Sequence, residues 1–467
     1  MTFELIIGKS NYKSNFKKKI YLDKQILNFN NEIEKNDNIN HNDILVLDKR
    51  VEIQSLCNDL YEKIILDLAK KLNHLHGVNF SDNFWKITLG PWLSNFIAIS
   101  FNRYHKIKKA IENKDISSVL LFENVEEFIP LNNFELNKLC NDNNWNAIFY
   151  SHVINFLKPE LKEKINKIEI NRKKKRLSLK NLVKKYIFSI LTLFFKKKDP
   201  IITSTYLPFF ENLKLFFYLK QIPIIWFAPI LERDKINLKN RKLLLLNQTE
   251  KNFENFLKNL IPFSIPICHI ELFKEMNEKL RLLKLPENPK FIYTTNNYEY
   301  DEYFKLYVAL KKENKTKYII GQHGNISWIE DIFFENQHSA DHYLYWGKDG
   351  FGKNENGFNF KLKRKFQNKS KGYLLILDSP FGTNNKIFNR IDENFEKEES
   401  LKILLTNLEK NIKENIIFKL HSSFDLREKN YIEKLKKICP KIKIETSNQK
   451  TSKLVQNSKC VLHLYDS

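Results

Sequence analysis

Apolar residues recur along this chain in two spacings, and the last hundred residues show both most clearly. The run YLLILD at 373–378 is short, continuous and bounded by polar residues, the pattern of a buried strand. Leu401, Leu404, Leu405, Leu408 and Ile412 follow at helical spacing. IIFKLH at 416–421 reads as a second strand. Leu426, Ile432, Leu435 and Ile438 then mark another helix, and KIKIET at 441–446 a third strand. The segment SKLVQNS predicts a short helix before a fourth strand, CVLHLY at 460–465. Strands alternating with helices imply βαβ units and a parallel sheet.

The same alternation occurs upstream. PIITSTYLP at 200–208, PIIWFAP at 223–229, KFIYTTN at 290–296 and KYIIGQHG at 317–324 are apolar runs that stop in a polar or glycine-containing turn. They predict a second parallel sheet, with ELIIG at 4–8 and DILVLD at 43–48 as early strands of it. Residues 50–190 read mainly as helix, a large insertion. Asn354 to Gly372 lacks periodicity, is rich in Lys and Asn, and reads as a linker. The expected organisation is an acceptor-side α/β domain over 1–360 and a nucleotide-binding α/β domain over 361–467, with a cleft between them.

Topology gives the polar residues their meaning. In an open parallel sheet the carboxyl ends of all strands share one edge, and ligands bind there. Asp378-Ser379, His421-Ser422-Ser423, Thr446-Ser447 and Asp466-Ser467 are such ends. Ser and Asp at these positions also cap the following helices; His421 has no such explanation. In the upstream sheet the turn is Gly321-Gln322-His323-Gly324, in a chain with only 11 Gly. Two glycines permit positive φ and a close approach of backbone to ligand. His323 between them could donate to a phosphate, take a proton from a hydroxyl, or pack as a hydrogen-bonded turn residue.

Charge narrows the partners. The chain has 467 residues and a net charge of +23, which suits an anionic partner: nucleic acid, a membrane surface or a phosphorylated substrate. Only ten of the 78 basic residues are Arg, a composition that a Lys-rich genome also produces. No zinc-finger, helix-turn-helix or RNP pattern supports nucleic acid. The five Cys form no CxxC pair, so neither a zinc site nor a disulfide framework is expected, and a reducing cytoplasm fits. No run reaches the ~20 apolar residues needed to span a bilayer. One segment, Arg172 to Lys198, sets ten mostly apolar residues between Lys clusters. It suits the inner face of an anionic membrane, or equally a core helix with solvated ends.

GQHGNISWIEDIFFENQHSADHYLYWG resembles the Gln-His-Gly segment of the LIC12162-type transferases, a bacterial family associated with O-antigen synthesis. The matching elements are Gln322-His323-Gly324, Phe333-Phe334-Glu335, Ala340-Asp341 and Trp346-Gly347. FWKITLGPWL at 84–93 is similar to a second, Trp-containing segment of that family. Asn325 and Ile326-Ser327 depart from its pattern, and its N-terminal opening is not recognisable in 1–50. The resemblance implies a GT-B-type glycosyltransferase with two Rossmann-like domains. It would move a sugar from a nucleotide sugar to a saccharide or lipid-linked saccharide acceptor in surface polysaccharide synthesis. IFKLHSS also resembles the Lys-x-His-Pro turn of CMP-sugar transferases, with Ser422 replacing Pro, and HLYDS resembles their strand near the donor phosphate. On that likeness Lys419, His421, Ser422 and Ser467 contact the donor. His323, Glu330 or Glu335 deprotonates the acceptor, beside Gly321, Gln322 and Gly324. No metal or cofactor is expected. Four strands, where such a donor domain has about six, read as an incomplete C-terminal domain. A teichoic-acid-type glycerophosphotransferase on the same scaffold, and a basic nucleic-acid-binding protein, are the alternatives.

Overall fold

The computed structural model describes residues 3–8, 19–22, 50–170, 172, 179–245, 250, 252–323, 339–345, 354–356, 372–378, 390–421, 431–446 and 451–463. They are α/β throughout, and every strand pairing among them is parallel. The chain divides into two compact units. The first holds the described residues through His323, with 339–345 and 354–356; the second holds those from 372 onward.

The first unit contains two sheets, not one. β1 (Phe3–Ile6), β2 (Lys19–Tyr21), β3 (Ile116–Glu123) and β4 (Lys162–Lys167) form a sheet in the order β2-β1-β3-β4. β5 (Ile201–Ile202), β6 (Phe291–Thr294), β7 (Lys317–Gly321), β8 (His342–Tyr345) and β9 (Asn354–Asn356) form a second sheet in sequence order. A single buried cluster runs from Leu5 to Tyr343 and joins both. The N-terminal strand therefore belongs to a sheet of its own, and the region read as helical supplies two of that sheet's strands. The apolar run SSVLLF is short and flanked by helices, and periodicity cannot separate such a run from a buried helix. β4, KEKINK, is an edge strand with almost no apolar signal.

Three further expectations change. Of 200–208 only Ile201–Ile202 is strand, and 223–229 is not strand at all. Pro223 and Pro229 bracket that segment, and proline cannot donate to a ladder. Its residues pack instead: Trp226 Nε1 donates to Asp301 at 2.6 Å, and its ring meets Phe304 edge-on. The proposed linker begins with β9, which pairs with β8. Residues 357–371 of that linker and the 43–48 run lie outside the described residues.

The LGPWL segment is a core corner. Helix Asp82–Thr88, capped by Ser81, ends at Leu89, and Pro91 opens helix Gly90–Asn113 in its first turn. Trp85, Leu89, Trp92 and Leu93 are all fully buried, so this stretch makes fold and not site.

The second unit is a four-stranded sheet in the order β12-β11-β10-β13. Its strands are β10 (Tyr373–Leu377), β11 (Ile416–Lys419), β12 (Lys443–Glu445) and β13 (Ser458–His463), as the apolar runs predict. Ile376, Leu401, Leu405, Phe418 and Leu435 form its core.

Candidate active site

β5, β6 and β7 lie side by side and parallel, so their carboxyl ends emerge on one edge of the central sheet. The edge carries Thr203 to Tyr206 from β5, Thr295 to Asn297 from β6, and Gln322-His323 from β7. Ser204 and Tyr206 both have left-handed backbone, φ 52° and 57°. Non-glycine residues seldom adopt that conformation, which costs about 1–3 kcal/mol each. Hydrogen bonds hold them there. Ser204 Oγ donates to Asn297 Oδ1 at 2.7 Å, Thr295 Oγ1 donates to the Ser204 carbonyl, and Asn296 Nδ2 donates to the Tyr206 hydroxyl at 2.8 Å. The result aims the Tyr206 ring at His323, with centroids 4.9 Å apart. His323 is exposed, and Tyr206 is partly so. Burial pushes the Tyr206 phenol above its ordinary pKa, so it is a neutral hydrogen-bonding group at neutral pH.

Gly321 has a different role from the one expected. Its φ is not in the left-handed range. A Cβ on it would instead lie 2.3 Å from the Tyr293 hydroxyl. The glycine therefore lets the β6 tyrosine cross β7 just before the turn. Gln322 is buried, and its N–H donates to the Leu344 carbonyl at 2.8 Å, which extends the ladder to β8 up to the residue before His323.

The second unit has its own polar edge. Asp378 N–H donates to the Lys419 carbonyl at 2.9 Å, and Asp378 Oδ2 accepts from His421 N–H at 3.1 Å. Asp378 thus fixes the turn that carries Lys419 and His421. Leu377 is in register with Lys419 on one side and His463 on the other. With first strand β10 between second strand β11 and fourth strand β13, the winding reverses between β10 and β13, where such sheets bind ligands. Asp378 and His463 border that point; sequence reasoning named the ends of β11 and β13 as donor contacts, with Lys419, His421, Ser422 and Ser467, and did not single out these two residues.

The model of the LIC12162 family transferases matches residues 4–467. The chain belongs to this family. No curated protein and no solved structure matches it. In this LIC12162 family transferase the two recognised segments divide between site and scaffold. Gln322-His323 stands at the carboxyl edge of the sheet, just past β7. Asp341 sits at the start of β8, where its carboxylate accepts from Lys312 Nζ at 2.6 Å and from Tyr318 N–H at 2.7 Å, pinning helix Glu302–Glu313 to the sheet. Gly324, Glu330, Asp331, Glu335, Ser422 and Ser467 lie outside the described residues. Tyr206, Ser204 and Asn296 were missed as site residues, although TSTY and TTN were already visible as polar strand ends.

Among the described residues one group has metal-ligand character: Cys268, His269 and Glu302, all buried. Its chemistry is that of an ion pair. Lys305 Nζ lies 2.8 Å from Glu302 Oε2 and supplies the countercharge that a metal would. Burial lowers the His269 pKa to about 4. The Cys268 thiol is pushed well above its ordinary range, also by burial.

Proposed function

We propose that this transferase is a glycosyltransferase of surface polysaccharide synthesis, with the first unit's sheet edge taking the acceptor and the second unit's edge the nucleotide sugar. The observation that carries the reading is the Tyr206–Asn296–His323 constellation, an exposed imidazole beside a tyrosine ring whose hydroxyl accepts from Asn296 and whose backbone is left-handed, at a parallel-sheet edge. His323 accepts the proton of the acceptor hydroxyl. The oxygen forms the new bond to the sugar's anomeric carbon, and the bond to the nucleotide phosphate breaks with its electron pair on that phosphate. Lys419 and His421 offset the charge that develops there, as positioned cations and donors do. On this assignment no metal is required, and EDTA should leave turnover unchanged.

The test is transfer from a panel of CMP-, UDP- and GDP-sugars to lipid-linked and free saccharides, with CDP-glycerol as a contrasting donor. His323→Ala should lower the rate by ~10²–10⁴-fold with the melting temperature retained, the usual contribution of a general base. Lys419→Gln should weaken donor binding. A well-folded His323→Ala protein with wild-type turnover sinks the catalytic role of His323. Transfer from CDP-glycerol alone moves the reaction to glycerophosphate.

A further inference from the structure

Two helices of the first unit present their apolar residues outward. In helix Leu179–Leu191, continued by the turn Thr192–Phe194, Phe188 is the one buried residue among the described side chains; it is 3% exposed and packs near Phe195 and Phe227. Leu179, Val183, Tyr186 and Ile190 form a stripe at helical spacing on the outside, and Leu193 and Phe194 continue it. Helix Phe209–Tyr218 repeats the arrangement. Phe216 and Leu215 pack on Ile202 and Tyr293, while Phe209, Phe210, Leu213, Phe217 and Tyr218 point away. Phe217 is 80% exposed and Phe210 73%. Water-facing aromatic residues at this density are unusual for a soluble surface and mark an interaction face.

The surrounding charge identifies the partner. Lys185, Lys196, Lys197 and Lys198 are exposed beside the first stripe, and Lys214 and Lys220 beside the second. The acidic groups nearby are few: Glu211 pairs with Lys214 at 3.0 Å, Glu287 with Lys197 at 3.0 Å, and Asp199 accepts from Lys196 N–H. Aromatic and aliphatic side chains with lysines around them suit the boundary between acyl chains and anionic headgroups. A protein partner would need an apolar surface that is also acidic; an anionic bilayer is both at once. The first helix has 13 residues, and no helix among the described residues is long and apolar enough to cross a membrane.

We infer that helices Leu179–Leu191 and Phe209–Tyr218 dock the protein on an anionic lipid surface, with Phe209, Phe210 and Phe217 entering the interface. Tyr206 lies three residues before Phe209 on the same connection. Docking therefore places the β5 side of the candidate acceptor edge beside the bilayer, which fits an acceptor carried on lipid. The docking itself rests on exposure and charge and not on the reaction, so it stands or falls separately.

Flotation of the full chain with phosphatidylcholine vesicles, with and without a quarter phosphatidylglycerol, tests it. The protein should float only with the anionic vesicles and be released by high salt. Combined Phe209→Ser, Phe210→Ser and Phe217→Ser should abolish flotation while leaving the melting temperature unchanged, because these side chains contribute nothing to the core. Combined Lys196→Gln, Lys197→Gln and Lys198→Gln should weaken partitioning by about a hundredfold. Absence of flotation by the wild type, or wild-type flotation by either variant, overturns the inference. So does a dimer in sedimentation velocity that the Phe variant dissolves while vesicles bind neither protein, since the face would then join two copies of the chain.

Discussion

His323 owes its placement to neighbours that contribute nothing to its chemistry. Tyr293 crosses β7 at Gly321, and the two together bring the chain to His323 at a fixed height on the sheet edge. Gly321→Ala should destabilise the first unit by ~1–3 kcal/mol, the usual result of forcing an extra carbon into a packed site. The cause is testable by a double-mutant cycle. In a Tyr293→Phe background the added methyl no longer meets the hydroxyl, and the cost of Gly321→Ala should shrink. An equal cost in both backgrounds would place the strain in the backbone, as expected from sequence, and not in the tyrosine. Tyr206→Phe makes a second, gentler probe. It removes the hydroxyl that accepts from Asn296 but leaves the ring beside His323, so transfer should fall while folding holds.

At the scale of elements, helix Glu302–Glu313 links stretches of the first unit that are distant in sequence. Glu302 accepts from Asn133 N–H at 3.2 Å, pairs with Lys305 at 2.8 Å and lies 3.5 Å from His269 Nε2. Removing one partner of a buried pair leaves the other uncompensated, so Glu302→Gln should cost ~3–5 kcal/mol in denaturant melts. Adding Lys305→Met should recover part of that loss; if it does not, the pair is not what holds the helix. These contacts also explain what the sequence conceals. β10 to β13 were legible because each is an apolar run between helices of regular period. β3 was not, because its apolar residues sit between helices equally apolar. β4 was not, because an edge strand of Lys, Glu and Asn has no pattern to read. His323 stood out by its glycines. Tyr206 meets it and is held by Asn296, 90 residues away in sequence, and only the strand order of the sheet makes these residues neighbours.

For the whole molecule, buried and half-buried histidines among the described residues make stability fall in acid. Burial lowers the pKa of His105, His152 and His269 from 6.5 to about 4, and His76 shifts the same way. The unfolded chain binds these protons from pH 6.5 downward, and the folded chain only near pH 4. Folding stability is therefore fully present above pH 6.5 and is lost as pH falls through that window. Asp301 acts in the opposite direction. Burial raises its carboxyl from 3.8 to about 6, so its contribution declines as pH rises between those values. Among the described residues the four histidines outweigh this one carboxylate, and their net slope is loss of stability in acid. The melting temperature of the first unit should fall by roughly 10 °C or more between pH 7 and pH 4.5. His152 packs against Phe128 with the rings tilted and has burial as its sole cause of shift, which makes it the cleanest probe. His152→Phe should flatten the profile, and Asp301→Asn should steepen it. A melting temperature independent of pH across this range, or an unchanged slope in His152→Phe, would show that these imidazoles are hydrated and not enclosed in the core.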